Sequence, residues 1–123
     1  MAHVSLKDVI AFNDAEMLSN MLWKIVQDWE VFNKITLGEQ IVKSVDSISA
    51  NIAEGFGRYF KKDKIKFYYY ARGSSLEAHC WIEKCYHRKM INNQDYKRIK
   101  RILNSLPKSI NALISMTNEK LDK

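Results

Sequence analysis

Residues 93–117, NQDYKRIKRILNSLPKSINALISMT, decide the fold class of this chain. Ile99, Ile102, Leu103, Leu106, Ile110, Leu113 and Ile114 recur at steps of three and four, while Lys97, Lys100, Arg101, Asn104 and Lys108 fall on the opposite side. That period is the signature of an amphipathic helix, with the apolar stripe turned to a core and the basic face to water. Asn92 or Asn93 supplies the helix cap. Pro107 lies inside the pattern, removes one backbone donor and predicts a kink.

The same period extends upstream. A helix is predicted over 62–89, with Ile65, Tyr69, Leu76, Ile82 and Tyr86 on its apolar face and Phe67, Tyr68 and Tyr70 widening it. Gly73 sits mid-helix, where glycine costs about 1 kcal/mol relative to alanine, and close approach of a neighbouring helix is the expected compensation. A helix over 37–56 carries Ile41, Val45, Ile48 and Ile52; Thr36 and Glu39 fit a capping box at its start, and Gly55-Phe56-Gly57 ends it. A first helix over 13–32 places Leu18, Met21, Leu22, Ile25, Val26, Trp29 and Phe32 on one face, preceded by an apolar arm, Val4 to Phe12. With four Gly, one Pro and 46 % apolar residues in 123, the expectation is one all-α domain: an antiparallel up-and-down four-helix bundle with a short N-terminal arm.

No apolar run approaches the ~18 residues that a membrane span needs, and the N-terminus does not read as a signal peptide. Cys80 and Cys85, five apart on one helix, diverge too far to bridge, and free thiols fit the cytoplasm. The net charge of +6 divides unevenly, −4 over residues 1–55 and +10 over residues 56–123. A polyanion is the commonest partner of so basic a half.

Three constellations carry chemistry or its absence. Asn51, Glu54, Ser74 and Glu77 could set two carboxylates face to face, but their i,i+3 spacing better fits a structural hydrogen-bonded network neutralised by Arg72 or Arg58. His79, Cys80, Cys85 and His87 stand at intervals of one, five and two, which one helix cannot gather round a metal, so neither metal nor other cofactor is expected. No catalytic site is assigned, because no strained nucleophile turn and no phosphate-cradling glycine loop is present. Basic residues form the remaining signal. Arg58, Lys61, Lys62, Lys64 and Lys66 surround the turn at residues 57–61, interleaved with Tyr59, Phe60, Phe67 and Tyr68, while Arg88, Lys89, Lys97, Arg98, Lys100 and Arg101 gather at the far end of the third helix. Lysine and arginine neutralise phosphates without reading bases, and aromatic rings stack on unpaired ones.

Asn51-Ile52-Ala53-Glu54-Gly55-Phe56-Gly57-Arg58, followed by Phe67, Ala71-Arg72-Gly73-Ser74 and Glu77, resembles the bacterial 23S rRNA intervening-sequence proteins, also called the S23 ribosomal protein family. Leu6 to Phe12 is similar to that family's opening segment. The resemblance also reaches the accessory variability proteins of diversity-generating retroelements. It implies a cytoplasmic four-helix bundle, a ring-like homopentamer, a basic surface that meets RNA or DNA, a reverse transcriptase partner in the retroelement branch, and no catalytic activity. Ser49 where proline is frequent, the Tyr68-Tyr69-Tyr70 run and Pro107 depart from the family pattern. The expectation is therefore a non-enzymatic, oligomeric bundle that binds RNA or other nucleic acid with little sequence preference. The alternative is a protein-interaction scaffold for a reverse transcriptase or another nucleic-acid enzyme.

Overall fold

The computed structural model describes residues 4–121, and among them every regular element is helical. A 3-10 turn, Leu6–Asp8, leads into α1 (Ile10–Gln27). A single helical turn, Val31–Asn33, and a π-helical turn, Lys34–Gly38, run directly into α2 (Glu39–Phe56). Two long helices follow, α3 (Lys61–His87) and α4 (Asn93–Lys120). Contacts join α1 to α2, α2 to α3, α3 to α4 and α4 back to α1, the cycle of an up-and-down four-helix bundle. Among the described residues no helix is long and apolar enough to cross a membrane.

The core follows the predicted stripes of α1, α2 and α4. Leu18 and Leu22 of α1, Ile41, Val45, Ile48 and Ile52 of α2, and Ile99, Leu106 and Ile110 of α4 are fully buried. Ser49 is buried on the same face and donates to Glu16 Oε2 at 2.8 Å, which ties α2 to α1.

The buried face of α3 is rotated from its expected phase. Tyr68, Ala71, Ser75, Ala78, Ile82 and Cys85 point inward, whereas Tyr69 is half-exposed and Leu76 is 72 % exposed. Two apolar positions placed in the core by sequence thus stand in water, and a stripe of small residues takes their place. Small side chains let helix axes approach, and at Gly55 the approach leaves no room for a side chain. A Cβ there would lie 2.7 Å from Tyr68 Cε1 and 2.9 Å from the Lys64 carbonyl oxygen. Gly73, the expected point of close packing, is exposed, and a Cβ on it would meet nothing within 4 Å. The compensating glycine is on α2, not on α3.

Helix ends differ from the sequence reading for identifiable reasons. The arm expected over Val4 to Phe12 is largely helical. Ser5 donates from both its amide and its hydroxyl to Asp8 Oδ2, closing a capping box that starts the 3-10 turn, and α1 begins at Ile10 rather than near 13. Those bonds hold the Asp8 carboxyl below its ordinary pKa. α1 stops at Gln27 instead of reaching Phe32, with the Asp28 and Trp29 amides bonded back to Ile25 and Val26. Trp29 turns away to donate its indole N–H to Met90 O at 3.1 Å, and Phe32 is exposed. Thr36 caps nothing: it sits inside the π-helical turn, and its hydroxyl returns to Phe32 O at 2.7 Å. α2 does end at Gly57, but with φ −79°, so no left-handed glycine is involved.

The left-handed residue is Lys89, at φ 62°, after α3 ends at His87. Lys89 N–H bonds to Tyr86 O and Met90 N–H to Cys85 O, the paired bonds of a Schellman motif with lysine where glycine is usual. Asn92 caps α4 by accepting from the Asp95 amide at 2.7 Å, and α4 continues through Pro107 as one helix.

Candidate nucleic-acid interface

The sequence-predicted basic residues fall into two groups at opposite ends of α3, and the structure separates those turned to solvent from those already engaged. At the α2–α3 corner, Arg58 donates to Glu54 Oε1 at 2.8 Å and stacks 4.7 Å from the Phe67 ring centroid. Lys64 turns inward, donating to Phe56 O at 2.7 Å over the Phe56 ring, and burial depresses its pKa. It serves as the C-terminal cap of α2 rather than as a contact for phosphate. Lys61 reaches Asn118 O at 3.4 Å, bringing the end of α4 beside the start of α3. Lys62 and Lys66 are exposed, Lys66 lying 6.0 Å from the Tyr70 ring centroid.

The aromatics of this corner also divide. Tyr68 is buried against Gly55, and burial lifts its phenol to about 12. Phe67 is covered by Arg58 and meets Tyr70 edge to face at 5.5 Å. Tyr59 and Phe60 are left in solvent, at 82 % and 52 % exposure, as a T-shaped pair with centroids 5.0 Å apart.

At the other end, Arg88 and Lys89 close α3 while Lys97, Arg98 and Arg101 stand exposed on the first turns of α4. No ion pair or side-chain hydrogen bond among the described residues engages these five. Lys97, Arg101, Asn104 and Lys108 form one exposed stripe, about 16 Å long at 1.5 Å per residue.

Lys100 is different. Its ammonium donates to Glu83 Oε1 at 2.8 Å and to His79 Nε2 at 2.6 Å. The same Nε2 lies 3.2 Å from Glu83 Oε1. Tyr96 donates its hydroxyl to the same carboxylate at 2.6 Å and stacks on Tyr86 with centroids 3.6 Å apart. Partial burial pushes the Glu83 pKa up, but the Lys100 and Tyr96 hydrogen bonds, the Lys100 charge and His79 outweigh it and bring the pKa to about 2. Burial and Glu83 together raise Tyr96 to about 12. This polar cluster fastens α3 to α4, and it withdraws Lys100 from the candidate phosphate contacts.

The network expected from Asn51, Glu54, Ser74 and Glu77 does not form. Asn51 donates back to Ser47 O, Glu54 holds Arg58, and Glu77 accepts from the Trp81 indole, each within its own helix. The cause is the rotated phase of α3, which buries Ser75 and leaves Glu77 exposed. Arg72 bonds Asn111 Oδ1 at 2.7 Å and lies over Tyr69 instead of neutralising a carboxylate pair. The cysteines also part company: Cys80 is exposed, while Cys85 is buried and its thiol is raised to about 11 by burial, against a small opposing pull from Arg88.

The Glu83 cluster was missed at the sequence level because its members are split between two helices. The available signal was the spacing of His79, Glu83 and His87, an i,i+4,i+8 row on one face.

The family model for the 23S rRNA-intervening sequence protein matches residues 7–112. Among solved structures, a protein of unknown function from the S23 ribosomal protein family of Bacteroides thetaiotaomicron VPI-5482 is similar, with a TM-score of 0.75 at 19 % identity. The match covers 85 % of this chain and 98 % of that one, and at such identity it speaks for the fold alone. No curated protein matches the chain. With the family model matched along most of its length and the same bundle in a solved member, this chain belongs to the 23S rRNA-intervening sequence protein family.

Proposed function

We propose that this protein is a non-enzymatic, cytoplasmic nucleic-acid-binding bundle that holds RNA or other nucleic acid by its phosphates, with little sequence preference. The observation that carries this reading is the exposed group of Arg88, Lys89, Lys97, Arg98 and Arg101, free of ion pairs among the described residues. Cations held by carboxylates gain little from a phosphate, whereas these five keep their full charge for one. Glu54 and Glu77 support the non-enzymatic reading, since each is exposed and engaged within its own helix. The test is fluorescence anisotropy with labelled RNA and DNA at low salt. Binding is expected for wild type and markedly weaker binding for Lys97→Ala/Arg98→Ala/Arg101→Ala. No binding by folded wild-type protein would overturn the proposal.

The bundle is also read as a homo-oligomer. The helix cycle gives the bundle an α1–α2 side and an α3–α4 side, and a head-to-tail contact between apolar parts of the two closes a ring where the rotation per subunit divides the circle. Trp23, Val31, Phe32 and Ile35 on the first side, and Tyr69 and Leu76 on the second, are apolar surface for such a contact. Light scattering on the purified protein measures the mass directly: a pentamer is expected, and a monomer at all concentrations would refute it. The alternative, a scaffold for a reverse transcriptase or another nucleic-acid enzyme, draws on the same exposed aromatics.

A further inference from the structure

We infer that the α2–α3 corner selects unpaired over paired nucleic acid, with Tyr59 and Phe60 as the stacking platform; this rests on the phosphate-binding reading above. Residues 57–60 join two helices without helical backbone of their own. The connection leaves Tyr59 82 % and Phe60 52 % exposed, and among the described residues the one aromatic ring beside Tyr59 is Phe60, at 89°. Every other aromatic near the corner has a partner or a cover, Phe56 under Lys64, Phe67 under Arg58, Tyr68 in the core and Tyr70 against Phe67.

The charge around the pair says what the rings meet. Of the five cations in this stretch, Arg58 is held by Glu54 and Lys64 by Phe56 O, and the remaining three, Lys61, Lys62 and Lys66, outnumber the one other carboxylate, Asp63. Apolar rings set among cations fit a ligand that is flat and aromatic in one part and anionic in the next, which is a nucleotide chain. The faces of bases inside a duplex are covered by their neighbours, so a stacking residue gains nothing there. In a single strand each base offers a face, and stacking on an aromatic side chain contributes about tenfold in affinity or more per base. At the far end of α3 the exposed Phe32 shares a cleft with Arg88, whereas Lys97, Arg101, Asn104 and Lys108 form a stripe that carries no ring, and that stripe should treat single and double strands alike.

The experiment compares the intact protein with Tyr59→Ala/Phe60→Ala, both substitutions at exposed positions. Each is titrated with a 12-nucleotide single strand, the corresponding duplex, an abasic strand of equal charge, and anionic phospholipid vesicles. Wild type is expected to prefer the single strand to the duplex, and the double variant to lose about 10- to 100-fold on the single strand alone. The abasic strand should bind both proteins equally. Equal losses on single strand and duplex, no loss at all, or a loss confined to vesicles would each overturn the inference. Failure of wild type to bind any of the strands would instead refute the phosphate-binding reading itself.

Discussion

Two glycines one helix apart should respond to the same substitution with opposite signs. Gly55→Ala places a methyl 2.7 Å from Tyr68 Cε1, about 0.7 Å short of the 3.4 Å at which ordinary contact begins, and 2.9 Å from the Lys64 carbonyl oxygen. Tyr68 is fully buried and the carbonyl belongs to α3 itself, so neither can swing aside and the two helices must separate. Overpacking of this kind costs about 1–3 kcal/mol, and the helix-propensity gain of alanine, at most ~1 kcal/mol, is reduced because Gly55 lies in the last turn of α2. The net expectation is a loss of about 1–2 kcal/mol. At Gly73 there is nothing to strike, so alanine should gain about 0.5–1 kcal/mol. For a chain of this length each kcal/mol moves Tm by roughly 3–5 °C. Circular dichroism melts should therefore show Gly55→Ala lowered by about 3–10 °C and Gly73→Ala raised by about 2–5 °C. An unchanged Gly55→Ala would refute the close α2–α3 approach. A clearly destabilised Gly73→Ala would refute the open outer face of α3.

Lys89→Gly should raise stability by about 0.5–1 kcal/mol in urea titrations, because glycine adopts the left-handed angle without a Cβ penalty; a loss would mean the lysine side chain matters more than its backbone. Glu83 has a folded pKa of about 2 against an ordinary 4.5, so its contribution is present above pH 4.5 and lost as pH falls towards 2. Wild type should exceed Glu83→Gln by about 1–2 kcal/mol at pH 6, a figure reduced for solvent screening, and the gap should shrink to about a quarter of that by pH 2.5; a constant gap would contradict the assignment. A thiol reagent at pH 8 should label Cys80 at once and Cys85 only on unfolding, and rapid labelling of both would show that Cys85 is not buried.

The fold was legible where apolar spacing is unambiguous. The stripes of α1, α2 and α4 consist of Leu, Ile and Val at helical steps, and these side chains are the core. α3 was misphased because its aromatics occupy four consecutive positions, 67–70, and so mark every face of the helix equally. Its true inner face is written in Ala71, Ser75 and Ala78, small residues whose burial is decided by how closely α2 approaches. That approach depends on Gly55, a residue that reads in sequence as a helix stop. Cap residues were legible when their partner lies three residues away, as Asn92 and Asp95 show, but Thr36 and Glu39 satisfy the same spacing and were overridden by the π-helical turn. The basic character of the surface was plain from composition. Which cations remain available was not, because Lys64 and Lys100 are withdrawn by partners on neighbouring segments, Phe56 O and Glu83.

The central claim is that the free cations of this surface hold phosphates, and the most direct test is the salt dependence of binding. Log affinity for a single strand of arbitrary sequence is plotted against log salt, for wild type and for Lys97→Ala/Arg98→Ala/Arg101→Ala. A linear decline is predicted, with a slope reduced by about 2 in the variant at ~0.7 per lost phosphate contact, and the same slopes for unrelated sequences. A slope that the three substitutions leave unchanged would contradict the account.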